Sequence, residues 1–195
     1  MISFRNVTIC FGGTLALGDV SFEIEPEEFV FITGPSGSGK TTILRLILKE
    51  IMPDIGEVVI AGRNVAEIEK SELPAYRRSM SMVFQDFRLL SDRTVKENVG
   101  LALAIRGVPE AERDGKVKEV LASVGIESKI NSFSQQLAGG ELQRAVIARA
   151  IVGHPKILLA DEPTGNLDPD TAWGIVELLE TIRKNGTTII MATHN

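Results

Sequence analysis

The sequence predicts an α/β fold, with a mainly parallel sheet core, an antiparallel β edge and an inserted helical segment. Three observations carry this. A continuous apolar run, Phe29-Val30-Phe31-Ile32, leads into a glycine-rich loop and then a helix, the opening of a βα unit. Two more apolar runs, Ile157 to Ala160 and Thr188 to Met191, flank a helical stretch from Pro169 to Lys184, as consecutive parallel strands do. Between them, from about residue 86 to residue 153, the pattern is mostly helical.

Length and composition set the frame. A chain of 195 residues suits one domain with room for an insert, but hardly two independent cores. Charged residues at 24% and apolar residues at 44% exclude wholesale disorder. The 21 Lys and Arg against 26 Asp and Glu leave a net charge of −5, which argues against non-specific nucleic-acid binding by the whole surface. A single cysteine, Cys10, cannot close an intrachain disulfide, so a reducing compartment is expected. No apolar run approaches the roughly 18 residues of a membrane span. Val99 to Ile105 is among the longest and contains Gly100. The first six residues lack the apolar core of a signal peptide, and the expectation is a soluble cytoplasmic domain.

In chain order, Ile2, Phe4, Val7 and Ile9 alternate with polar residues, as in a half-buried strand, and Gly12-Gly13 breaks it. Val20, Phe22 and Ile24 alternate again up to Pro26, so an antiparallel edge pair is expected. Phe29 to Ile32 then reads as a strand buried on both faces. After the glycine loop, Thr42 to Ile51 carries Ile43, Leu44, Ile47, Leu48 and Ile51 at helical spacing and stops before Pro53. The central segment offers helices over Val95 to Ile105, Ala111 to Val124 and Glu141 to Val152, broken at Gly107-Val108-Pro109, at Gly125 and around Leu137 to Gly140. Asn185-Gly186 ends the helix that starts at Pro169.

The glycine loop carries the strongest chemistry. Gly34-Pro35-Ser36-Gly37-Ser38-Gly39-Lys40-Thr41 matches the G-x-x-x-x-G-K-[ST] pattern, with the required strand before it and helix after it. Glycines let successive backbone N–H groups turn toward phosphate oxygens, and the following helix presents its positive N-terminal end. Lys40 can reach the β- and γ-phosphates, and the Thr41 hydroxyl can hold Mg²⁺. Nucleotide binding follows.

Other candidates are weaker alone. Asp161-Glu162 ends an apolar strand; the aspartate can serve a Mg²⁺ shell and the adjacent carboxylate can deprotonate water, though a solvated turn fits equally. His194 follows the last buried strand, where such sheets place ligand-facing loops, yet a lone histidine there is more often structural. His154 precedes a proline and has no assigned role. Leu137-Ala138-Gly139-Gly140-Glu141-Leu142-Gln143-Arg144 opens an amphipathic helix, either as a second phosphate-binding terminus or as an ordinary helix start.

Together, and over essentially the whole chain, these residues resemble the ABC-type ATPases, a branch of the P-loop NTPases. Gly34 to Thr41 resembles the Walker A loop, Gln85 the Q-loop glutamine, Leu137 to Arg144 the family signature, Asp161-Glu162 Walker B, Gly165-Asn166-Leu167-Asp168 the D-loop and His194 the H-loop. The resemblance implies a homodimer in the ATP-bound state, two copies head to tail, each ATP lying between one Walker A loop and the partner's signature. It assigns ATP contacts to Phe11, to each residue from Gly34 to Thr42, to Gln85, to Ala138, Gly139 and Gly140, and to Asp168. Thr41, Gln85 and Asp161 are implied Mg²⁺ and water ligands, Glu162 the general base, and His194 the group steadying the γ-phosphate; Lys40 and Gln85 complete the catalytic set. Phe11, where the family stacks an aromatic on adenine, fits a core aromatic equally well.

Residues 84 to 90, with Asp92-Arg93-Thr94-Val95 and Glu97-Asn98-Val99, are similar to the cell-division branch of the family. Ala160 to Asp168 and Ala192-Thr193-His194 are shared more widely, with lipoprotein-export and macrolide-export ATPases. The branch implies a peripheral protein at the cytoplasmic face of the bacterial inner membrane, paired with an integral-membrane subunit resembling FtsX and signalling to cell-wall hydrolases. An exporter ATPase is the alternative; a nucleic-acid-associated ABC ATPase is disfavoured by the charge, the lack of a long heptad arm and the single ATPase copy. Two departures stand out. The signature serine is Ala138, which predicts slower or weaker ATP-driven dimerisation. Family members also continue past Asn195, itself in place of a frequent aspartate, with another strand and helix, so a poorly supported sheet edge near His194 is expected.

Overall fold

A computed structural model describes residues 1–194. Asn195 lies outside the described residues, and the aspartate replacement there with it. Eight strands and six α-helices follow in the order β1 (Ile2–Phe11), β2 (Thr14–Ile24), β3 (Phe29–Thr33), α1 (Lys40–Ile47), β4 (Ile55–Ile60), β5 (Arg63–Asn64), α2 (Leu73–Arg78), β6 (Met80–Val83), α3 (Val95–Ile105), α4 (Glu110–Ser123), α5 (Gly139–Ile151), β7 (Ile157–Asp161), α6 (Pro169–Lys184) and β8 (Thr188–Thr193).

Strands β2-β1-β4-β5 form an antiparallel sheet and β3-β8-β7-β6 a parallel one. The β1–β2 hairpin turns at Gly12 (φ 55°) and Gly13 (φ 85°), two consecutive positive φ values that the tight hairpin turn requires. The three-residue step from Phe4 to Val7 marks a bulge, with Asn6 at φ 50°. Gly56 of β4 packs on that bulge at φ +84°, and a Cβ there would stand 2.4 Å from the carbonyl oxygens of Arg5 and Asn6. Gly56→Ala therefore combines backbone strain with a backbone clash, an expected loss on the order of 3 kcal/mol. Thermal unfolding tests this: the midpoint should fall by roughly 6–12 °C.

The parallel sheet divides two cores. Alternate residues of its continuous apolar runs point to opposite faces. Leu159, Ile190 and Ala192 join Leu44, Leu46 and Ile47 of α1 and the inner face of the antiparallel sheet, Phe4 and Val58 included. Leu158, Ala160, Ile189 and Met191 join α3, α4, α5 and α6 through Val99, Leu121, Ile147 and Leu179. Helix α3 begins at a capping box: Thr94 Oγ1 accepts from the Glu97 amide at 3.3 Å, and the Glu97 carboxylate accepts from the Thr94 amide at 2.8 Å. Helix α6 is capped by Asp168, which accepts from the Thr171 amide at 3.0 Å.

Three expectations need correction. Among the described residues strand β3 is an outer strand paired with β8, and none of Phe29 to Ile32 is fully buried, so the run is not covered on both faces. Phe31 is 49% exposed and stacks on Phe29 with ring centroids 4.7 Å apart. Conversely, β8 lies between β3 and β7 with every residue from 188 to 193 buried, so the strand leading to His194 is flanked on both sides. Helix α1 also ends at Ile47 rather than Ile51. Tyr76 Oη donates to the Ile47 carbonyl and Arg77 Nε to that of Leu48 at 3.1 Å, satisfying the helix end from outside.

Candidate active site

The site lies at the carboxyl ends of β3, β7 and β8, where an open parallel sheet leaves a crevice between departing loops. The first loop, residues 34–39, runs from β3 into α1. Gly37 (φ +81°) and Gly39 (φ +91°) hold conformations that side chains rarely adopt. A Cβ on Gly39 would stand 2.7 Å from the Ala16 carbonyl oxygen and from Leu17 Cδ2, so β2 presses the loop closed from behind. Helix α1 starts directly after it, at Lys40, and aims its unpaired N-terminal amides into the loop.

Lys40 is buried, and its ammonium donates to the carbonyl oxygens of Gly34 at 2.8 Å and Pro35 at 3.0 Å. One of its three donors remains. Glu162 Oε1 lies 3.6 Å from Nζ. Thr41 Oγ1 donates to Asp161 Oδ2 at 2.9 Å, across 120 residues of sequence. This hydroxyl–carboxylate pair is a hard-oxygen set of the kind that holds a small divalent cation beside phosphate oxygens. Burial pushes the Asp161 carboxyl above its ordinary value, and the Thr41 hydrogen bond opposes that shift.

Glu162 follows β7 at φ 48°, a left-handed conformation costly for a non-glycine residue and typical of functional sites. Its amide donates to the Ala192 carbonyl at 2.9 Å. Its Oε2 lies 2.7 Å from His194 Nδ1, and the His194 amide donates to the same oxygen at 3.3 Å. His194 thus holds one carboxylate oxygen while the other faces Lys40. Lys40, Thr41, Asp161, Glu162 and His194 form one constellation.

The remaining candidates lie around it. Phe11 is 45% exposed at the hairpin tip, which removes the core-aromatic alternative. Gln85 is exposed two residues beyond the end of β6. Ala138, Gly139 and Gly140 stand at the N-terminus of α5, and among the described residues no hydrogen bond joins them to the phosphate loop. They pack instead against the D-loop and α6: a Cβ on Gly139 would meet Leu167 at 3.4 Å, and one on Gly140 would meet Thr171 at 2.6 Å. Asp168 is the α6 cap, its carboxyl held below the ordinary value by the hydrogen bonds from Thr171. Ala138 has N-cap geometry (φ −66°, ψ 158°) without a capping oxygen; its amide donates to Glu141 at 3.0 Å. Ala138→Ser should therefore supply a helix cap worth about 1 kcal/mol, raising the thermal midpoint by about 2–4 °C. It should also tighten ATP-driven dimerisation, by up to about tenfold; unchanged turnover and dimerisation would refute the role given to this position.

Arg149 escaped the sequence reading, and Gln143 was read there only as part of the Leu137 to Arg144 segment. Arg149 binds the loop after Gln85, and Gln143 is buried with its side-chain amide nitrogen unpartnered among the described residues. On a helix that reads as amphipathic, neither carries a signal that separates it from a surface residue.

The parallel sheet order and the glycine loop between β3 and α1 define a P-loop domain, and residues 17–165 match the family model described as ABC transporter. The chain belongs to the ABC transporter family, as an ATPase domain of it. It is 50% identical to the cell division ATP-binding protein FtsE of Streptococcus pneumoniae serotype 2, over 100% of this chain and 85% of that one. It is 45% identical to FtsE of Bacillus subtilis, over 100% and 86%. Among solved structures, the dimeric bacterial ABC transporter cassette MJ0796 matches with a TM-score of 0.88 at 38% identity, covering 100% of this chain and 88% of that one. The same cassette is also known in a dimeric post-hydrolysis state bound to ADP and Pi.

Proposed function

We propose that this chain is the ATP-binding and hydrolysing subunit of an FtsEX-like membrane complex, which dimerises on ATP and signals through an FtsX-like subunit to cell-wall hydrolases during division. It works at the cytoplasmic face of the inner membrane as a peripheral protein, and it binds no nucleic acid. The observation that carries this reading is the whole-chain similarity to relatives named FtsE, in a chain whose five polar site residues converge on one crevice.

The chemistry is positioning plus electrostatics, as phosphoryl transfer requires. The amides of residues 37–41 and the third donor of Lys40 hold the phosphates. Mg²⁺, when bound, neutralises charge on phosphate oxygens. Thr41 and Asp161 would hold it, with Gln85 as a further oxygen donor. Glu162 takes the proton of the attacking water, and His194 fixes the carboxylate for that transfer. The Gly139 and Gly140 amides of a second copy close over the γ-phosphate. Phe11 stacks on the adenine, and Asp168 lies beside the nucleotide of the facing site.

A groove of about 310 Å³ between residues 86–89 and 134–142, with Phe87, Leu89 and Leu142 in its walls, is the surface that receives the membrane subunit. Affinity capture of the native protein after cross-linking in its own membranes tests the assignment. Recovery of a lone FtsX-like subunit is expected. An exporter permease would make the chain a transport motor with the same catalytic residues, and recovery of no membrane protein would overturn both readings.

A further inference from the structure

The loop that follows Gln85 is folded against itself and held from behind by one arginine. Phe87 and Arg88 are consecutive left-handed residues, at φ 58° and 51°, a conformation that non-glycine residues keep only when their surroundings enforce it. The Phe87 amide donates to the Phe84 carbonyl at 3.2 Å. The Arg88 guanidinium lies 3.7 Å from the centre of the Phe84 ring, and its Nε donates to Asp86 Oδ1 at 3.0 Å. Gln85 sits in sequence between Phe84 and Asp86, the two residues that Arg88 holds.

The carbonyls of the two left-handed residues point toward α5. There Arg149 Nη2 donates to the Phe87 oxygen at 2.8 Å and Nη1 donates to the Arg88 oxygen. No ion pair joins Arg149 to a carboxylate among the described residues, and its side chain is half-buried. A planar fork of donors matches two adjacent carbonyl oxygens in a way that a point charge does not. A half-buried cation needs polar partners, and the two carbonyls are the ones Arg149 has among the described residues. Arg149 lies ten residues after Gly139 on a straight helix, a distance of about 15 Å.

We propose that Arg149 is a positioning residue for hydrolysis: it clamps the Phe87 and Arg88 carbonyls and so fixes Gln85 relative to the helix that carries Gly139 and Gly140. Arg149 touches neither nucleotide nor water; it acts through the loop. The inference rests on the role given to Gln85 above.

The test is a mutant cycle on the full chain with ATP and Mg²⁺, measuring kcat, KM and thermal midpoint for Arg149→Gln, Arg149→Lys, Gln85→Ala and the doubles. Arg149→Gln should lower kcat by about 10- to 100-fold, as a small misplacement of a reacting group does, with KM for ATP within about twofold. Arg149→Lys keeps the charge and one carbonyl contact. It should fall between the two and guards against a variant that does not fold. In the Gln85→Ala background neither Arg149 substitution should lower kcat further. Additive losses in that background would overturn the inference while leaving Gln85 in its role. A normal kcat for Gln85→Ala alone would overturn the role of Gln85, and the inference with it.

Discussion

Glu162→Gln is expected to slow steady-state ATP hydrolysis by about 10²- to 10⁴-fold, the usual contribution of a positioned general base. ATP affinity should change little. The amide keeps the shape of the carboxylate and still accepts from the His194 amide, which lies 3.3 Å from Oε2. It cannot take a proton from water at neutral pH. The structure gives a second reason for a large effect. Glu162 carries a left-handed backbone conformation and is held by the Ala192 carbonyl through its own amide, so its side chain has little freedom to be replaced by a neighbour. Phosphate release measured over the full ATP range separates kcat from KM; near-normal kcat would remove Glu162 from the mechanism.

Lys40→Ala acts on a different step. Its ammonium bridges two carbonyls of its own loop and stands 3.6 Å from Glu162, where Lys40 is buried and Glu162 partly so. Removing it deletes a charge-assisted contact to phosphate, worth about 1.5–3 kcal/mol, and leaves Glu162 without its cation. ATP affinity should fall by about 10- to 100-fold, and hydrolysis should become undetectable, because the same charge stabilises the transferred group. Titration calorimetry on the folded variant checks the first part. Unchanged affinity would mean that the loop amides alone hold the phosphates.

Much of this was legible before any coordinates. The phosphate loop carries its own signal, because glycines at 34, 37 and 39 with Lys40 and Thr41 have a chemical purpose that flanking strand and helix confirm. Helices α3 and α6 match their expected limits, bounded as read by Gly107-Val108-Pro109 and Asn185-Gly186, and the structure adds N-caps at Thr94 and Asp168. Strands β4, β5 and β6 and helix α2 were missed. Strand β6 reads Met80-Ser81-Met82-Val83, with few β-branched residues, and α2 has six residues with a proline at its start, so local propensity is weak in both and tertiary pairing decides. The exposure of Phe31 was also invisible, since an apolar run states that a strand avoids water but not on which side a neighbour stands. For the site, proximity was the missing quantity. His194 and Glu162 are 32 residues apart in sequence and 2.7 Å apart in space, and the residues alone favoured a structural histidine. Only the family resemblance joined them.

ATP closes two copies over a shared pair of sites in the proposed mechanism, and Glu162 ends that state. The measurement that addresses it directly is sedimentation of full-length Glu162→Gln protein with ATP and Mg²⁺, with ADP and Mg²⁺, and without nucleotide. A two-chain species holding two ATP molecules, present only in the first condition, is the predicted result. A single chain in all three conditions, or a dimer indifferent to nucleotide, would contradict it.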